Sequence, residues 1–209
     1  MSDHAATGKV GVLLAAGGGS RFDGDRHKLL GLLPASETRP AETVMSRSLA
    51  AASEASFDVL LVVTGRMTGR DLELDRAHLD DAVIEVVHND RWADGQATSV
   101  AAGLLAAERL GARQVAIGLG DQPGIESSAW QAVGEALTDE HPIAVATYAG
   151  RRANPVAMAR SIWHLIPRTG DRGARALMSL RPDLVVEVPC SGSPDDIDTE
   201  EDLRRWQSS

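Results

Sequence analysis

The sequence predicts an α/β fold built on a parallel sheet. Five short apolar runs, residues 10–15, 59–64, 83–88, 115–119 and 143–148, are rich in β-branched residues and nearly continuous, as strands covered on both faces must be. Between them lie stretches rich in Ala, Leu and Glu, at 46–55, 99–110 and 130–137, and Gly111 stands where a helix ending in a left-handed residue wants glycine. Alternation of these two patterns implies right-handed crossovers between parallel strands. In such sheets ligands bind beyond the carboxyl ends of the strands, so the chemistry is sought just after each apolar run.

The last third is expected to behave differently. Helical pieces at 161–166 and 174–180 precede a strand-like run at 184–188, then Pro189, Gly192 and Pro194 in a turn. Thr199 with Asp202 three positions later has the pattern of a capping box, opening a terminal helix through Trp206. Residues 33–43, carrying Pro34 and Pro40, read as a surface loop or edge element.

With 209 residues and no linker or repeat, a single domain spanning 1–209 is expected. The formal charge of -9 repels nucleic acid and anionic membrane surfaces, so an anionic ligand needs a local cationic site. Aromatics at 3% are too few for the stacking platforms of single-strand binders. Cys190 is alone, which excludes an internal disulfide and fits a reducing cytoplasm. The apolar run near the start is broken by Gly17, Gly18 and Gly19, so it reads as a buried strand and no leader or membrane span is expected.

The densest signal is LLAAGGGSRFDGDRHKLL, residues 13–30. Glycines let backbone N–H groups approach an anion, while Arg21 and Lys28 supply charge for phosphate oxygens. Two commoner phosphate motifs fail on identity. A Walker loop needs Gly-Lys followed by Ser or Thr, yet Gly24 precedes Asp25 and Lys28 precedes Leu29; a dinucleotide fingerprint needs a third glycine where Phe22 stands. In GLGDQPGI, residues 118–125, Asp121 falls just past the fourth strand, either capping a proline turn or holding Mg²⁺, which favours one or two carboxylates supplemented by phosphates and water. In DDIDTEEDL, residues 195–203, Asp196 and Asp198 share one face if extended, and spacing does not choose between them as a second metal ligand.

Taken in order, LLAAGGGSRF, Lys28, NDRWADGQATSVAAGL, GLGDQP, NPVAM, GDRGARALM and DIDTEEDL resemble nucleotidyltransferases of the MobA-like family, and more closely its molybdenum cofactor cytidylyltransferase branch. The resemblance implies a three-layer α/β/α Rossmann-like nucleotidyltransferase domain with a mainly parallel sheet. It implies that Ala16, Gly17, Gly18, Gly19, Ser20 and Arg21 wrap a triphosphate, with Lys28 near the reacting centre. Leu14, Ala15, Gly95 and Ser99 fall where relatives recognise base and ribose. Asp121, with Asp198 or Asp196, falls on the metal-binding carboxylates. Asn154 and Pro155 stand where relatives often carry His-Pro before an acceptor-side strand, and Asp171 and Arg172 belong to a loop near the acceptor. Ala15-Ala16-Gly17 and Asp121-Gln122-Pro123 follow the cytidylyl pattern, which favours CTP over GTP.

The implied reaction is attack by the terminal phosphate of molybdopterin on the α-phosphorus of CTP with Mg²⁺, releasing pyrophosphate. A phosphate nucleophile is already anionic, so alignment and charge neutralisation suffice without a general base. That accords with a site made of glycines, cations and carboxylates and with no Ser/His/Asp or Cys/His constellation in the chain. Two alternatives remain at this level: transfer from GTP or to a sugar phosphate or other small phosphate, and a non-catalytic carrier that delivers molybdenum cofactor to a molybdoenzyme apoprotein.

Overall fold

A computed structural model describes residues 8–20, 22, 26–35, 40–74, 83–170 and 173–208. In chain order the elements are β1 (Lys9–Ala15), β2 (Leu32–Leu33), β3 (Glu42–Thr43), α1 (Val44–Ser53), β4 (Val59–Thr64), β5 (Ile84–His88) and α2 (Gln96–Arg109). They continue with β6 (Gln114–Leu119), α3 (Ser127–Glu135), β7 (Ile143–Tyr148), β8 (Arg151–Ala159), α4 (Gly173–Leu180), β9 (Val185–Pro189) and α5 (Glu200–Gln207). Seven strands form one sheet in the order β5-β4-β1-β6-β8-β7-β9. All its pairings are parallel except those of β8, which runs antiparallel to β6 and to β7.

Helices cover both faces, as the buried strands demand. Strand residues of one parity (Leu13, Leu60, Val62, Ala116) pack with Met45 and Leu49 of α1 and Trp130 and Val133 of α3. Those of the other parity (Val12, Leu61, Val63, Val115) pack with Val100 and Leu104 of α2 and Leu177 and Met178 of α4. The result is the expected α/β/α sandwich with a mainly parallel sheet. Gly118 lets α3 settle closely on β6, since a Cβ there would lie 2.5 Å from the Trp130 ring.

Local chemistry moves several boundaries. Thr43 caps α1 by accepting from Ser46 N, so that helix starts at Val44 and not at 46. Helix α2 starts at Gln96 because Gly95 adopts φ 109, and it ends before Gly111 at φ 73. The piece expected at 161–166 is a 3₁₀ helix, Arg160–Leu165. Pro189, expected in a turn, closes the edge strand β9, where a missing N–H is tolerated. Segment 33–43 contributes to a small antiparallel pair, β2 with β3. The capping box of Thr199 and Asp202 is present and opens α5.

The antiparallel β8 is a correction to the sequence reading. Ala149 and Gly150 both have positive φ (49 and 78), giving a two-residue hairpin from β7 into β8 without the Asn-Gly or Asp-Gly that usually marks one. Asn154 and Pro155 lie inside β8 and not before it. The register passes from Val145↔Val156 to Ala146↔Ala153, leaving both outside the ladder with β7, so the absent proline N–H falls at a bulge. Among the described residues no helix is long and apolar enough to cross a membrane.

Candidate functional site

The carboxyl edge of the parallel strands gathers most of the sequence-selected residues. Leu14, Ala15 and Ala16 are buried at the end of β1, and the chain then surfaces through Gly17, Gly18, Gly19 and Ser20. Leu14 accepts from Gly120 N at 2.9 Å, which fixes the loop before Asp121 beside the loop after β1. Gly19 takes φ 61, and its carbonyl accepts from Phe22 N in a tight turn. The indole of Trp92 closes the other side, for a Cβ on Gly18 would meet it at 3.1 Å. Arg21 lies outside the described residues.

Lys28 stands in a 3₁₀ turn, Lys28–Leu30, whose N-cap is His27. Its buried ammonium lies 2.5 Å from Asp121 Oδ2 and 2.7 Å from Asp198 Oδ1. Burial acts to lower the Lys28 pKa, but the Asp121 and Asp198 carboxylates outweigh it and hold the ammonium above its usual value. The two aspartates come from separate parts of the sequence: Asp121 follows β6, and Asp198 precedes α5. A backbone bond from Ile197 N to Asp121 O, at 2.9 Å, joins those loops, with Ile197 fully buried as the anchor. Asp196 is exposed beside the same group; partial desolvation first, then the charges of Asp121 and Asp198, push its pKa up.

These donors fit a hard divalent cation. Among the described residues, Asp121 Oδ1 is buried without a hydrogen-bond partner, an oxygen that a cation could satisfy. Among the described residues no group of three His, Cys, Asp or Glu side chains could hold a metal by itself. An ion here would draw on the Asp121 and Asp198 carboxylates and take its remaining ligands from water or substrate oxygens, the habit of Mg²⁺ and similar ions.

Gly95 and Ser99 lie at the start of α2, one loop away. The positive φ of Gly95 is itself a reason for glycine there. Ser99 is 4% exposed, and its hydroxyl accepts from Asn89 Nδ2 at 2.9 Å. The hydroxyl thus holds the 89–99 segment together and faces inward. Asn89 N in turn donates to Thr64 O, which ties the segment to the end of β4.

The acceptor candidates lie across the sheet from the carboxylates. Asn154 lines a cavity of ≈ 250 Å³ between the sheet, α2 and α4, with Leu14, Leu119, Val145, Met158 and Met178 among its walls. Asn154 Nδ2 donates to Gln122 Oε1 at 2.9 Å, and Gln122 Nε2 donates to Pro194 O at 2.8 Å. Gln122, 4% exposed, therefore braces the carboxylate loop against β8 and the C-terminal loop. Its orientation gives the Asp-Gln-Pro motif a structural reason besides any preference for a base. Pro155 is buried within β8. Asp171 and Arg172 lie outside the described residues, although the preceding Gly170 carbonyl accepts from Ala97 N at 2.9 Å, at the start of α2.

Residues 11–185 match the model of a family described as the MobA-like NTP transferase domain. The chain belongs to that family. Among curated relatives of this MobA-like protein, the nicotine blue oxidoreductase of Paenarthrobacter nicotinovorans is 30% identical over 218 residues, covering 98% of this chain and 99% of the relative. The purine catabolism protein PucB of Bacillus subtilis is 32% identical over 205 residues, covering 92% and 93%. Among solved structures, Rv0371c of Mycobacterium tuberculosis superposes with a TM-score of 0.73 at 29% identity, over 98% of this chain and 100% of that one. The same protein has also been solved in complex with manganese, matching with a TM-score of 0.68 at 28% identity over 98% and 100%.

Three residues of the site escaped sequence reasoning. Trp92, which appears in the sequence only as one letter of NDRWADGQATSVAAGL, presses on Gly18 of the glycine loop. Gln122 served only as a motif letter, and its neighbour in space, Asn154, is 32 positions away. His27 had no partner in sequence, yet it touches both Gly17 and Leu29. Only its place immediately before Lys28 could have drawn attention to it.

Proposed function

We propose that this MobA-like protein is a nucleotidyltransferase that moves CMP from CTP to the terminal phosphate of a molybdopterin acceptor. The single observation that carries this reading is the meeting of the glycine loop, Lys28, Asp121 and Asp198 at one edge of the sheet, with an apolar cavity directly across it. In the reaction an acceptor phosphate oxygen forms a bond to the α-phosphorus of CTP. The bond from that phosphorus to the bridging oxygen breaks, and pyrophosphate leaves.

Each side chain has a distinct task. The backbone of Gly17, Gly18 and Gly19 and the charges of Arg21 and Lys28 hold the triphosphate. Asp121 and Asp198 would hold a divalent cation, Mg²⁺ or Mn²⁺, which supplies neutralising charge to the phosphates. The manganese complex of the mycobacterial relative supports that assignment. Leu14 and Ala15 at the end of β1, with Gly95, shape the nucleoside side, and Leu14 also borders the neighbouring cavity. Asn154, held by Gln122, lines the cavity for the acceptor body, next to the loop of Asp171 and Arg172. A cavity of ≈ 250 Å³ with mainly apolar walls suits a flat heterocycle.

The test is a thermal-shift screen with CTP, GTP, ATP and UTP plus Mg²⁺, followed by pyrophosphate release with and without molybdopterin. A ligand at 100 times its dissociation constant adds about 2.7 kcal/mol of stability, so the preferred nucleotide stands out. CTP should give the largest shift and acceptor-dependent pyrophosphate. A larger shift with GTP reverses the base assignment. Release only with a sugar phosphate changes the acceptor, and nucleotide binding without release leaves a carrier. Redox conversion of nicotine blue, with no pyrophosphate formed, would move the chain to the activity named for its Paenarthrobacter relative.

A further inference from the structure

We infer that His27 is a positioning residue that locks the glycine loop to the turn carrying Lys28, and that it does so as one fixed neutral tautomer. His27 Nε2 lies 3.1 Å from the Gly17 carbonyl, and its Nδ1 accepts from Leu29 N at 3.4 Å. A carbonyl oxygen can only accept, so Nε2 must carry the hydrogen. A backbone N–H can only donate, so Nδ1 must present its lone pair. The two partners leave a single form of the ring, and that form joins the loop after β1 to the 3₁₀ turn after it.

The ring also lies against the loop. A Cβ on Gly19 would come within 2.9 Å of His27 Nε2, so glycine at φ 61 is what lets the imidazole approach. Burial, with the Lys28 and Arg66 charges, lowers the ring's pKa and keeps it neutral, against the opposing pull of the Gly17 bond and Asp121. The consequence for a ligand follows from peptide geometry. In a trans peptide the Gly17 carbonyl and the Gly18 N–H point in opposite directions. Holding the carbonyl on His27 turns an oxygen that would repel phosphate away from the loop's mouth and commits the Gly18 N–H to the other side. His27 thereby sets the orientation of the cradle and the placement of Lys28 together, without touching the reacting atoms. The ligand arm of this inference rests on the proposed nucleotide site; the loop arm does not.

The experiment exploits two amides that each copy half of the imidazole. Gln at position 27 can place an Nε2 donor where the histidine has one, whereas Asn can supply an Oδ1 acceptor near the Nδ1 position. The full chain carrying His27→Gln, His27→Asn or His27→Ala is examined by amide hydrogen exchange over residues 16–20 without nucleotide, by calorimetric titration with Mg·CTP, and by thermal melting. Exchange in the loop should accelerate in His27→Asn and His27→Ala but stay near wild type in His27→Gln. Affinity for Mg·CTP should fall about 5- to 10-fold in the first two, the loss expected for one neutral hydrogen bond, and by less than about 2-fold in the Gln variant. Similar melting temperatures for the Gln and Asn variants would separate this role from bulk stability. Unchanged loop exchange in His27→Ala, or equal affinities for the Gln and Asn variants, overturns the inference. If wild type binds no nucleotide at all, the proposed function falls, and the exchange measurement alone decides the role of His27.

Discussion

In the β5-β4-β1-β6 half of the sheet every strand runs the same way, whereas β8 runs against both of its neighbours. The first half delivers its site residues just after strands: the glycine loop follows β1, and Asp121 follows β6. The second half delivers Asn154 near the start of β8, because an antiparallel strand begins at the edge where parallel strands end. The two halves meet through Gln122, whose amide bonds Asn154 on one side and Pro194 on the other. One edge of a mixed sheet can therefore collect residues from strand ends and strand starts alike. It also divides the tasks, with carboxylates and ammonium beside α1 and α5 and the apolar cavity beside α2 and α4.

If that division is functional, the halves should fail differently when cut. Lys28→Ala gives the largest effect, a fall in turnover of about 10² to 10³, the usual loss when one preorganised charge is removed. The same change leaves Asp121 and Asp198 facing each other without their shared ammonium, so the melting temperature should drop in metal-free buffer and recover with Mn²⁺. Turnover equal to wild type would take Lys28 out of the reaction and reduce the trio to a structural ion pair.

On the other side of the sheet, Asn154→Ala should raise the KM for the acceptor by about 10-fold and leave the KM for the nucleotide unchanged. It strands the buried Gln122 Oε1, a loss of about 1–3 kcal/mol that is felt at the cavity wall. Steady-state kinetics with each substrate varied in turn reads the split. Equal changes in both constants would mean that the halves are not separable.

The contrast also explains what was legible from sequence. β1, β4, β6 and β7 were readable to within a residue because each is buried on both faces and so lacks polar alternation. Lys28 and Asp121 were readable as candidates because they follow such runs. What joins them was not, since the Lys28–Asp198 contact spans 170 positions and depends on Ile197 docking the C-terminal loop onto β6. The start and direction of β8 escaped because Pro155 argues against a strand interior, and only the bulge opposite Val145 and Ala146 shows how the chain accommodates it. Its hairpin turn, Ala149-Gly150, lacks the residues that announce one. The choice between Asp196 and Asp198 was equally closed to spacing, because both face the same cluster and only Asp198 reaches the Lys28 ammonium in a described contact.

Asp196 provides the smallest and most specific test of that cluster. Its pKa is raised by partial desolvation and by Asp121 and Asp198, so the folded protein holds a proton there more tightly than the unfolded chain does. Stability from this group is fully present below the ordinary aspartate range and is lost as pH rises through the elevated folded value. Asp196→Asn removes the charge while its amide oxygen can still accept from Gln122. The variant should therefore melt higher than wild type at pH 7, by about 1–3 °C given the partial exposure of the site. The gap should close as the buffer is acidified, because wild-type Asp196 then becomes neutral as well. Mn²⁺ should also narrow it, since a bound cation offsets the repulsion that the substitution removes. A lower melting point at pH 7 would mean that Asp196 is held by attraction, and that the negative charge gathered opposite the apolar cavity is smaller than the three carboxylates suggest.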